Sequence, residues 1–306
     1  MTTQKSNPDN ELTTLSNAMA DAVERAGQVT VLVNARRRFP ASGIIYTADM
    51  VLTADHVVER EDDINILLPN GQETPARLAG RDPGSDLALL RLDTPTQPPT
   101  QPVQSEARVG QLVLALGRPS PAGLQASLGI ISAKGGPLRT GRGGLLEQYL
   151  TTDAIPYPGF SGGPLIDASG QVLGINTSGL TRGASLAIPA SLAWRIAETL
   201  AQHGRVRHGY LGIRSQPVAL PAQGVKALNR NQEVGLLLVG VEEGSPAAAG
   251  GLMVGDILVS LNNQPLSDPD DLLSRLVGSL VGKPTPVEVL RGGQLHQLTV
   301  TVGERK

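Results

Sequence analysis

The sequence contains no cysteine, few aromatic residues and almost no excess of charge of either sign. The absence of cysteine excludes disulfides, cysteine nucleophiles and cysteine-ligated zinc or iron–sulfur sites, and it leaves the redox compartment undetermined. Aromatic residues make up 2% of the chain, too few for a platform that stacks single-stranded nucleic acid. The 26 basic and 28 acidic residues give a net charge of −2, so electrostatics provide no reason to expect a nucleic-acid or membrane partner.

Long apolar runs at the start of the chain and nucleotide-binding motifs are absent too. Residues 1–11 are polar, so they predict a disordered tail rather than a secretory signal or a membrane span. We expect a cytoplasmic protein if Met1 is the native start, and an extracytoplasmic one if an export segment was removed. No glycine-rich phosphate motif follows an apolar run, which argues against a nucleotide site.

The composition favours a mostly β protein of two domains. A length of 306 residues suits two domains, and the 36 glycines and 23 prolines predict many short strands joined by tight turns. Short apolar runs, bounded by Gly, Pro, Asn and Asp, support this prediction. These runs cover residues 29–33, 44–46, 64–68, 87–92, 112–116 and 172–175.

Two segments with helical spacing of apolar residues limit the first domain. One predicts a helix from Leu12 to Gly27, and the other predicts a helix between Ala187 and His203 that Gly204 ends. The basic stretch that follows, residues 205–208, is typical of a linker. We therefore expect one domain over residues 12–204 and a second over residues 209–303.

The most informative segment is residues 159–165, Gly-Phe-Ser-Gly-Gly-Pro-Leu. A serine flanked by glycines can occupy a sharp turn, where its hydroxyl is exposed and backbone N–H groups point at a bound carbonyl. The same letters also occur in glycine-rich turns with an incidental serine. Ser161 is therefore a candidate nucleophile that needs a base.

Four histidines are available as that base, and His56 has the most suitable setting because it follows an apolar strand directly. The other three lie in a polar helix end, a linker and an exposed-looking hairpin. Asp86 immediately precedes another apolar strand, where its carboxylate can be partly buried and orient an imidazole. Asp82 has a similar turn setting, and spacing alone does not separate the two.

The chain order of these residues favours one fold over another. In α/β-hydrolases the acid and the histidine follow the serine, and strands alternate with helices after it. Here the order is His56, Asp86, Ser161 on short strands, which is the order of the chymotrypsin fold. A double β-barrel is therefore favoured over an esterase of the α/β-hydrolase type.

Several motifs together resemble those of the HtrA/Deg family of serine proteases, which combine a trypsin-like double β-barrel with a C-terminal PDZ domain. Residues 53–58, Thr-Ala-Asp-His-Val-Val, resemble the family's histidine motif, and residues 85–90, Ser-Asp-Leu-Ala-Leu-Leu, its aspartate motif. Residues 152–154 and 158–165 resemble its serine motif. The resemblance runs from about residue 12 to residue 303 and implies a mostly β fold, with a small α+β sandwich as the PDZ domain.

The resemblance implies a role for each candidate residue. His56 would be the general base, Asp86 its orienting partner and Ser161 the nucleophile. The backbone N–H groups of Gly159 and Ser161 would form the oxyanion hole. Three positions depart from the family pattern, because Phe160 and Tyr157 stand where asparagine is usual and Asp55 stands where alanine is usual. Phe160 is the departure that bears on how readily the oxyanion loop adopts its active form.

We expect an apolar pocket for the substrate side chain. Ile155 and Pro156 occupy the stretch where enzymes that cut after Lys or Arg place an acid, and Tyr157, Ile175 and Asn176 complete the expected pocket. Without a carboxylate, a bound cation would be desolvated and unpaired. Cleavage after small or medium aliphatic residues follows. The alternative is that Ile155 is a core residue.

In the second domain, four residues resemble the carboxylate-binding loop of PDZ domains, namely Tyr210, Leu211, Gly212 and Ile213. In such domains backbone N–H groups receive a peptide C-terminus while the peptide adds a strand. A helix over residues 270–280 would form the other wall of the groove. In the family, a loop of the protease domain transmits PDZ or substrate occupancy to the oxyanion loop. The matching segment here, residues 134–147, carries Arg139 and Arg142 as candidate regulatory residues.

The sequence therefore predicts an ATP-independent serine endopeptidase that cleaves unfolded or misfolded proteins in protein quality control, with a PDZ domain that binds C-terminal peptides. It would need neither cofactor nor metal, and the family implies a homotrimer. The short loop at residues 36–42 argues against larger shells. The alternative is a protease-fold binding module or holdase with negligible turnover, which Phe160 keeps open.

Overall fold

The structure is a computed structural model that describes residues 8–96, 106–140, 144–180, 186–276 and 278–304. By its internal contacts the chain divides into two units, Met1–Val206 and Arg207–Lys306. This division falls inside the predicted linker. Within the described ranges, no helix combines the length and the hydrophobicity needed to cross a membrane.

The first unit starts with a helix and a closed barrel of six antiparallel strands. The strands are arranged around this barrel in the order β1-β2-β3-β6-β5-β4. The elements are α1 (Pro8–Gly27), β1 (Thr30–Asn34), β2 (Ala41–Thr47), β3 (Met50–Ala54), β4 (Ile64–Leu67), β5 (Glu73–Asp82) and β6 (Leu87–Leu92).

The apolar run of strand β6 reflects the burial of both of its faces. Ala88 and Leu90 fill the interior of the first barrel, whereas Leu87 and Leu89 lie in a second cluster that the barrels share with a later helix. Successive side chains on a strand point to opposite faces, so a strand buried on both faces loses the usual alternation of polar and apolar residues.

A second closed barrel follows, with the strand order β11-β14-β13-β12-β7-β8 and a separate two-stranded hairpin of β9 and β10. Its elements, with the helix that ends the unit, are β7 (Leu112–Ser120), β8 (Gly123–Gly135), β9 (Leu138–Arg139), β10 (Leu145–Leu146), β11 (Tyr149–Thr152), β12 (Pro164–Asp167), β13 (Val172–Thr177), β14 (Leu186–Pro189) and α2 (Ala190–His203). The two barrels confirm the predicted chymotrypsin-like fold.

Both helices of this unit start at residues other than those predicted from the sequence. Helix α1 already includes Pro8–Glu11, which the sequence assigned to a disordered tail, while residues 1–7 lie outside the described residues. Helix α2 starts at Ala190 because Leu186–Pro189 pairs with the second barrel as a strand. Its predicted end is correct, since Gly204 has a φ of 72° and its N–H bonds the carbonyl of Leu200.

The second unit is a small α+β sandwich around the main sheet order β16-β17-β18-β20-β21, with β19 paired to β18 and β15 to β22. Its elements are β15 (Gly209–Tyr210), β16 (Ile213–Ala219), α3 (Ala222–Leu228), β17 (Val234–Val241), α4 (Pro246–Ala249), β18 (Ile257–Leu261), β19 (Gln264–Pro265), α5 (Pro269–Arg275), β20 (Pro284–Arg291), β21 (Gln294–Thr301) and β22 (Gly303–Glu304).

The helix predicted over residues 270–280 is shorter than expected. Helix α5 ends at Arg275, and Gly278–Leu280 forms a separate 3-10 turn. The start of α5 is well capped, because the carboxylate of Asp268 accepts hydrogen bonds from the N–H groups of Asp270 and Asp271.

Candidate active site

The candidate base lies on a 3-10 turn, Asp55–Val57, that continues directly from β3. The Nδ1 atom of His56 lies 2.8 Å from Oδ2 and 3.1 Å from Oδ1 of Asp86. The backbone N–H of His56 also donates to Oδ1 of this carboxylate at 2.9 Å. One acid therefore holds His56 at two points, the Nδ1 atom of its ring and its backbone N–H.

Asp86 and Asp82 are both buried, but their carboxylates bind different groups. Asp86 is fully buried and has a φ of 58°, a left-handed backbone conformation that aspartate tolerates better than most residues. The carboxylate of Asp82 instead accepts the N–H groups of Gly84 and Ser85, each at 3.2 Å, and so closes the turn before β6. The structure thus assigns the two acids different tasks that their spacing left open.

Two further residues support this pair, and sequence reasoning missed the role of both. The Thr177 hydroxyl at the end of β13 donates to Oδ2 of Asp86, and the Gly179 N–H donates to the Thr177 oxygen at 3.0 Å. A Cβ on Gly179 would lie 2.5 Å from Nδ1 of His56 and 2.6 Å from Oδ2 of Asp86. Thr177 closely follows the apolar run at residues 172–175, but nothing in the sequence indicates the close approach at Gly179.

The candidate nucleophile bonds a neighbouring serine rather than the histidine. Oγ of Ser161 lies 3.1 Å from Oγ of Ser178, which in turn lies 3.5 Å from Nε2 of His56, at the outer limit of a hydrogen bond. Because the carboxylate of Asp86 only accepts, Nδ1 of the neutral imidazole carries the proton and Nε2 is an acceptor. The Ser178 hydroxyl therefore donates to Nε2 and accepts from Ser161.

The turn before the nucleophile is closed by a main-chain hydrogen bond. The Phe160 N–H donates to the carbonyl of Tyr157 at 3.0 Å, and Gly159 has a φ of 91°. Pro158 in the second position and a left-handed glycine in the third are typical of a type II turn. Within the described ranges the N–H groups of Gly159 and Ser161 have no acceptor, so both are available to a substrate oxygen.

Phe160 is part of the core of the second barrel. Its side chain is fully buried there, and its ring meets that of Tyr157 edge to face at 5.4 Å. The buried ring holds the turn against the core of the second barrel and does not occupy the cleft.

The charge of Asp55, which stands where the family usually has alanine, is balanced by an arginine. Its fully buried carboxylate lies 2.6 Å from Nε of Arg81, whose guanidinium also donates to the carbonyl of Val58. The extra acid beside His56 therefore belongs to an ion pair within the first barrel.

The cleft that contains Ser161 and His56 has a volume of about 380 Å³. Pro156 and Tyr157 line it, together with residues of the 36–39 loop. The side chain of Ile155 is 60% exposed, which excludes the alternative that it is a core residue.

Three predicted pocket residues require correction. Ile155 is exposed but is not among the residues that line this cleft. Ile175 is fully buried in the cluster between the barrels, and the Asn176 amide donates to the carbonyl of Pro164 at 2.9 Å. Both lie on β13, which is buried on both faces, so neither side chain lines the cleft.

The structure describes only part of the predicted regulatory segment. Arg139 lies on β9 with an exposed side chain, opposite Leu145 in the hairpin. Arg142 lies outside the described residues.

The predicted peptide site of the second unit lies between an edge strand and a helix. Strand β16 is at the edge of the sheet, and α5 lies against it. Within the described ranges the N–H groups of Leu211 and Gly212 bond no acceptor, and Gly212 has a φ of 78°. The Leu211 side chain is a core residue and the Tyr210 hydroxyl donates to Glu242, so the backbone is the available part of this loop.

The second unit also holds an acid in a bidentate ion pair. The Arg291 guanidinium lies 2.7 Å from Oδ1 and 2.8 Å from Oδ2 of Asp256, and the Met253 N–H donates to the same carboxylate at 2.9 Å. Burial raises the pKa of Asp256, but these hydrogen bonds and the arginine charge outweigh burial and leave the pKa below its usual value.

Comparisons with known proteins agree with this geometry. A family model for trypsin-like peptidase domains matches residues 41–175, and one for PDZ domains matches residues 209–302. A solved structure titled HtrA-type protease AlgW with decapeptide superposes with a TM-score of 0.79 at 31% identity, over 94% of this chain and 99% of that one. The chain belongs to the HtrA family of serine proteases.

Other HtrA relatives fit the same assignment. The serine endoprotease from Yersinia pestis superposes with a TM-score of 0.78 at 32% identity, over 94% of this chain and 98% of that one. A probable periplasmic serine endoprotease, DegP-like, from Pseudomonas putida strain F1 is 38% identical over 86% of this chain and 55% of its own length. One with the same description from Rhizobium meliloti is 34% identical over 88% of this chain and 54% of its own length. The chain thus spans about half the length of these curated relatives.

Proposed function

We propose that the chain is an ATP-independent serine endopeptidase that cleaves unfolded or misfolded proteins. One observation carries the proposal. The His56–Asp86 pair, whose carboxylate is buried, lies beside Ser161. Ser161 lies on a turn whose Gly159 and Ser161 N–H groups are unpaired within the described residues. A base, its orienting acid, a nucleophile and two oxyanion donors are the groups that acyl transfer needs.

Acylation begins when the Ser161 hydroxyl turns from Ser178 towards His56. Nε2 of His56 takes the proton as Oγ of Ser161 bonds to the substrate carbonyl carbon, and Asp86 stabilises the imidazolium. The carbonyl oxygen becomes an oxyanion between the N–H groups of Gly159 and Ser161. His56 then gives its proton to the departing amine, and a water molecule, activated by the same imidazole, releases the acyl group.

We infer that the enzyme prefers Val, Ala, Ile or Leu on the acyl side of the cut. Residues 154–160 contain no acid, and Pro156 and Tyr157 present apolar surface to the cleft. Peptide mapping of digested casein tests this preference, and predominant cleavage after Lys or Arg would contradict it.

Proteolysis itself is tested with full-length wild type, Ser161→Ala, His56→Ala and Ser169→Ala. Ser169 lies in an exposed turn and serves as the matched serine control. We expect casein digestion and fluorophosphonate labelling in wild type and Ser169→Ala only, with similar melting temperatures throughout. If wild type suppresses aggregation of an unfolded protein without cutting it, the holdase alternative replaces the proposal.

We further propose that the second unit binds the C-terminus of an apolar peptide and that this binding modulates proteolysis. Support comes from the edge strand β16 and from the N–H groups of Leu211 and Gly212, which are unpaired within the described residues and suit a carboxylate and an added strand. A Val-terminated peptide should bind in an anisotropy assay, and its C-terminal amide should not. If the acid binds while cleavage of a short reporter peptide stays unchanged, the coupling part of the proposal fails.

Assembly as a homotrimer and an extracytoplasmic location complete the proposal. Leu12 and Leu15 on α1 are 69% and 43% exposed, which offers an apolar surface to another copy, and the curated relatives are described as periplasmic. Sedimentation equilibrium should give three copies for wild type and fewer for the double variant Leu12→Glu and Leu15→Glu. Fractionation of the cells that make the protein tests its location.

A further inference from the structure

Ser42, on strand β2 of the first barrel, contacts the oxyanion turn of the second. Its hydroxyl is fully buried and donates to the carbonyl of Gly159 at 2.6 Å. The same oxygen accepts the backbone N–H of Arg118 at 2.8 Å. The donor and the acceptor capacity of this hydroxyl are therefore both used, one of them by a residue of the candidate oxyanion hole.

The backbone of Ser42 meets the nucleophile as well. Its N–H donates to the carbonyl of Ser161 at 3.2 Å, and its own carbonyl accepts the hydroxyl of Thr53 at 2.7 Å. One residue thus bonds the carbonyls of both residues whose N–H groups would hold the oxyanion.

Three glycines approach Ser42 closely. A Cβ on Gly117 would lie 2.9 Å from the Ser42 hydroxyl, and one on Gly163 would lie 3.1 Å from its Cβ. On Gly162 a Cβ would lie 2.2 Å from the Ser42 carbonyl oxygen. Three glycines therefore surround the serine, two of them in the turn that carries the nucleophile.

These contacts hold the peptide between Gly159 and Phe160 at both ends. Its carbonyl is bonded by Ser42, and its N–H is bonded by the carbonyl of Tyr157. The Gly159 N–H belongs to the preceding peptide, between Pro158 and Gly159, which is the central peptide of the turn that the Phe160–Tyr157 hydrogen bond closes. With the Gly159–Phe160 peptide fixed, this central peptide has less freedom to rotate, so the Gly159 N–H keeps its direction relative to the Ser161 N–H. We propose that Ser42 is a positioning residue for the reaction, whose hydroxyl keeps the oxyanion hole open.

The proposal depends on the hydroxyl rather than on filled volume. Without it, the Gly159 carbonyl and the Arg118 N–H both lose a buried partner, which is unfavourable. A carbonyl that turns to the cleft to find a new partner places its negative end where the substrate oxyanion develops. The Ser42→Ala variant should therefore weaken transition-state binding more than substrate binding.

This inference rests on the proposed proteolysis, and its experiment uses the full chain as wild type, Ser42→Ala, Ser42→Cys, Ser161→Ala and Thr30→Val. Thr30 is the matched control, because its fully buried hydroxyl also bonds a backbone carbonyl, that of Ala26 at 2.8 Å. The measurements are kcat and KM for a reporter peptide and the melting temperature. A peptidyl trifluoromethyl ketone supplies a third readout, since Ser161 adds to it and leaves an oxyanion in the hole.

We expect Ser42→Ala to lower kcat about 10- to 100-fold, less than outright loss of an oxyanion donor costs, with KM within about 2-fold. Affinity for the ketone should fall by the same factor as kcat/KM, and the 19F titration of the bound hemiketal should move to higher pH. Ser42→Cys keeps a weak donor and should recover part of kcat. Thr30→Val should lower the melting temperature about as much as Ser42→Ala does, but it should keep the wild-type kcat.

Equal kcat in Ser42→Ala and Thr30→Val would overturn the proposal, as would a loss of kcat with unchanged ketone affinity. If Ser42→Ala does not fold, Ser42→Cys provides the same comparison. Full proteolysis by Ser161→Ala would instead refute the proposed function, whatever the Ser42 variants show.

Discussion

The two halves of the candidate active site are held in different ways. In the first barrel, the Asp86 carboxylate accepts two groups of His56 and the hydroxyl of Thr177, and its side chain is 1% exposed. In the second barrel, Ser161 lies on a turn fixed by main-chain hydrogen bonds and by the Ser42 hydroxyl, and its own hydroxyl bonds Ser178 rather than the base. The base is thus already oriented, whereas the nucleophile has to turn before it reacts.

This difference shows which part of the site is open to adjustment. A buried carboxylate with several donors is costly to rearrange, because each donor and acceptor would lose its partner. A hydroxyl that exchanges one neutral hydrogen bond for another changes little in free energy. Substitutions in the half with His56 should therefore have larger effects than those around the Ser161 hydroxyl.

The largest effect is expected from Asp86→Asn. The asparagine amide offers a donor to Nδ1 of His56, which then has to accept, so Nε2 carries the proton and no longer acts as a base. We expect kcat for a reporter peptide to fall roughly 10⁴-fold. Asp82→Asn is the matched control, since its side chain still accepts within the turn, and it should stay within a few-fold of wild type. Similar losses in both variants would refute the separate tasks of the two acids.

A smaller loss is expected from Gly179→Ala. The new methyl group would lie against the His56–Asp86 pair and displace the imidazole, and a displacement of about 1 Å lowers kcat about 100-fold. Gly110→Ala is the control, because Gly110 has a φ of 85° but no atom near an added Cβ. It should lower the melting temperature and leave kcat unchanged. A fully active Gly179→Ala would show that this half is less rigid than the contacts indicate.

Next to the nucleophile, Ser178→Ala should modestly increase the reactivity of Ser161. Removing this hydroxyl frees Ser161 to bond His56 directly, so we expect fluorophosphonate labelling to become about 2- to 10-fold faster, the equivalent of one neutral hydrogen bond. Ser178→Thr keeps the hydroxyl and should label like wild type. Slower labelling of the alanine variant would mean that Ser178 carries the proton to the base.

The smallest effect concerns an acid held by arginine instead of histidine. The pKa of Asp256 is lowered in the folded state, so its contribution to stability is present above pH ~4 and is lost as the pH falls below that. Asp256→Asn should lower the opening free energy of β20 amides by ~1 kcal/mol at neutral pH, measured by hydrogen exchange. The difference in opening free energy between the variant and wild type should disappear at acidic pH. A gap that is independent of pH would exclude the ion pair as its cause.

Much of the fold and the triad could be predicted from the sequence because the signals are local. Short apolar runs bounded by turn residues indicated the strands, and the chain order of His56, Asp86 and Ser161 indicated the double barrel. The start of α2 was misplaced because the apolar residues Leu186–Pro189 are compatible with a helix or a strand, and only their pairing with β11 and β13 makes them a strand. Ile175 and Asn176 were placed in the pocket because sequence proximity does not show which way a side chain faces.

The sequence by itself determined the chemistry available to this protein. Without cysteine and with one well-placed histidine, aspartate and serine, it offers one consistent set of groups for acyl transfer. Only the tertiary structure decided how these groups are held, because Thr177, Gly179 and Ser42 act across distances of many residues along the chain. Their contacts depend on the close packing of two barrels, where a few tenths of an ångström decide whether a Cβ fits or a hydrogen bond forms.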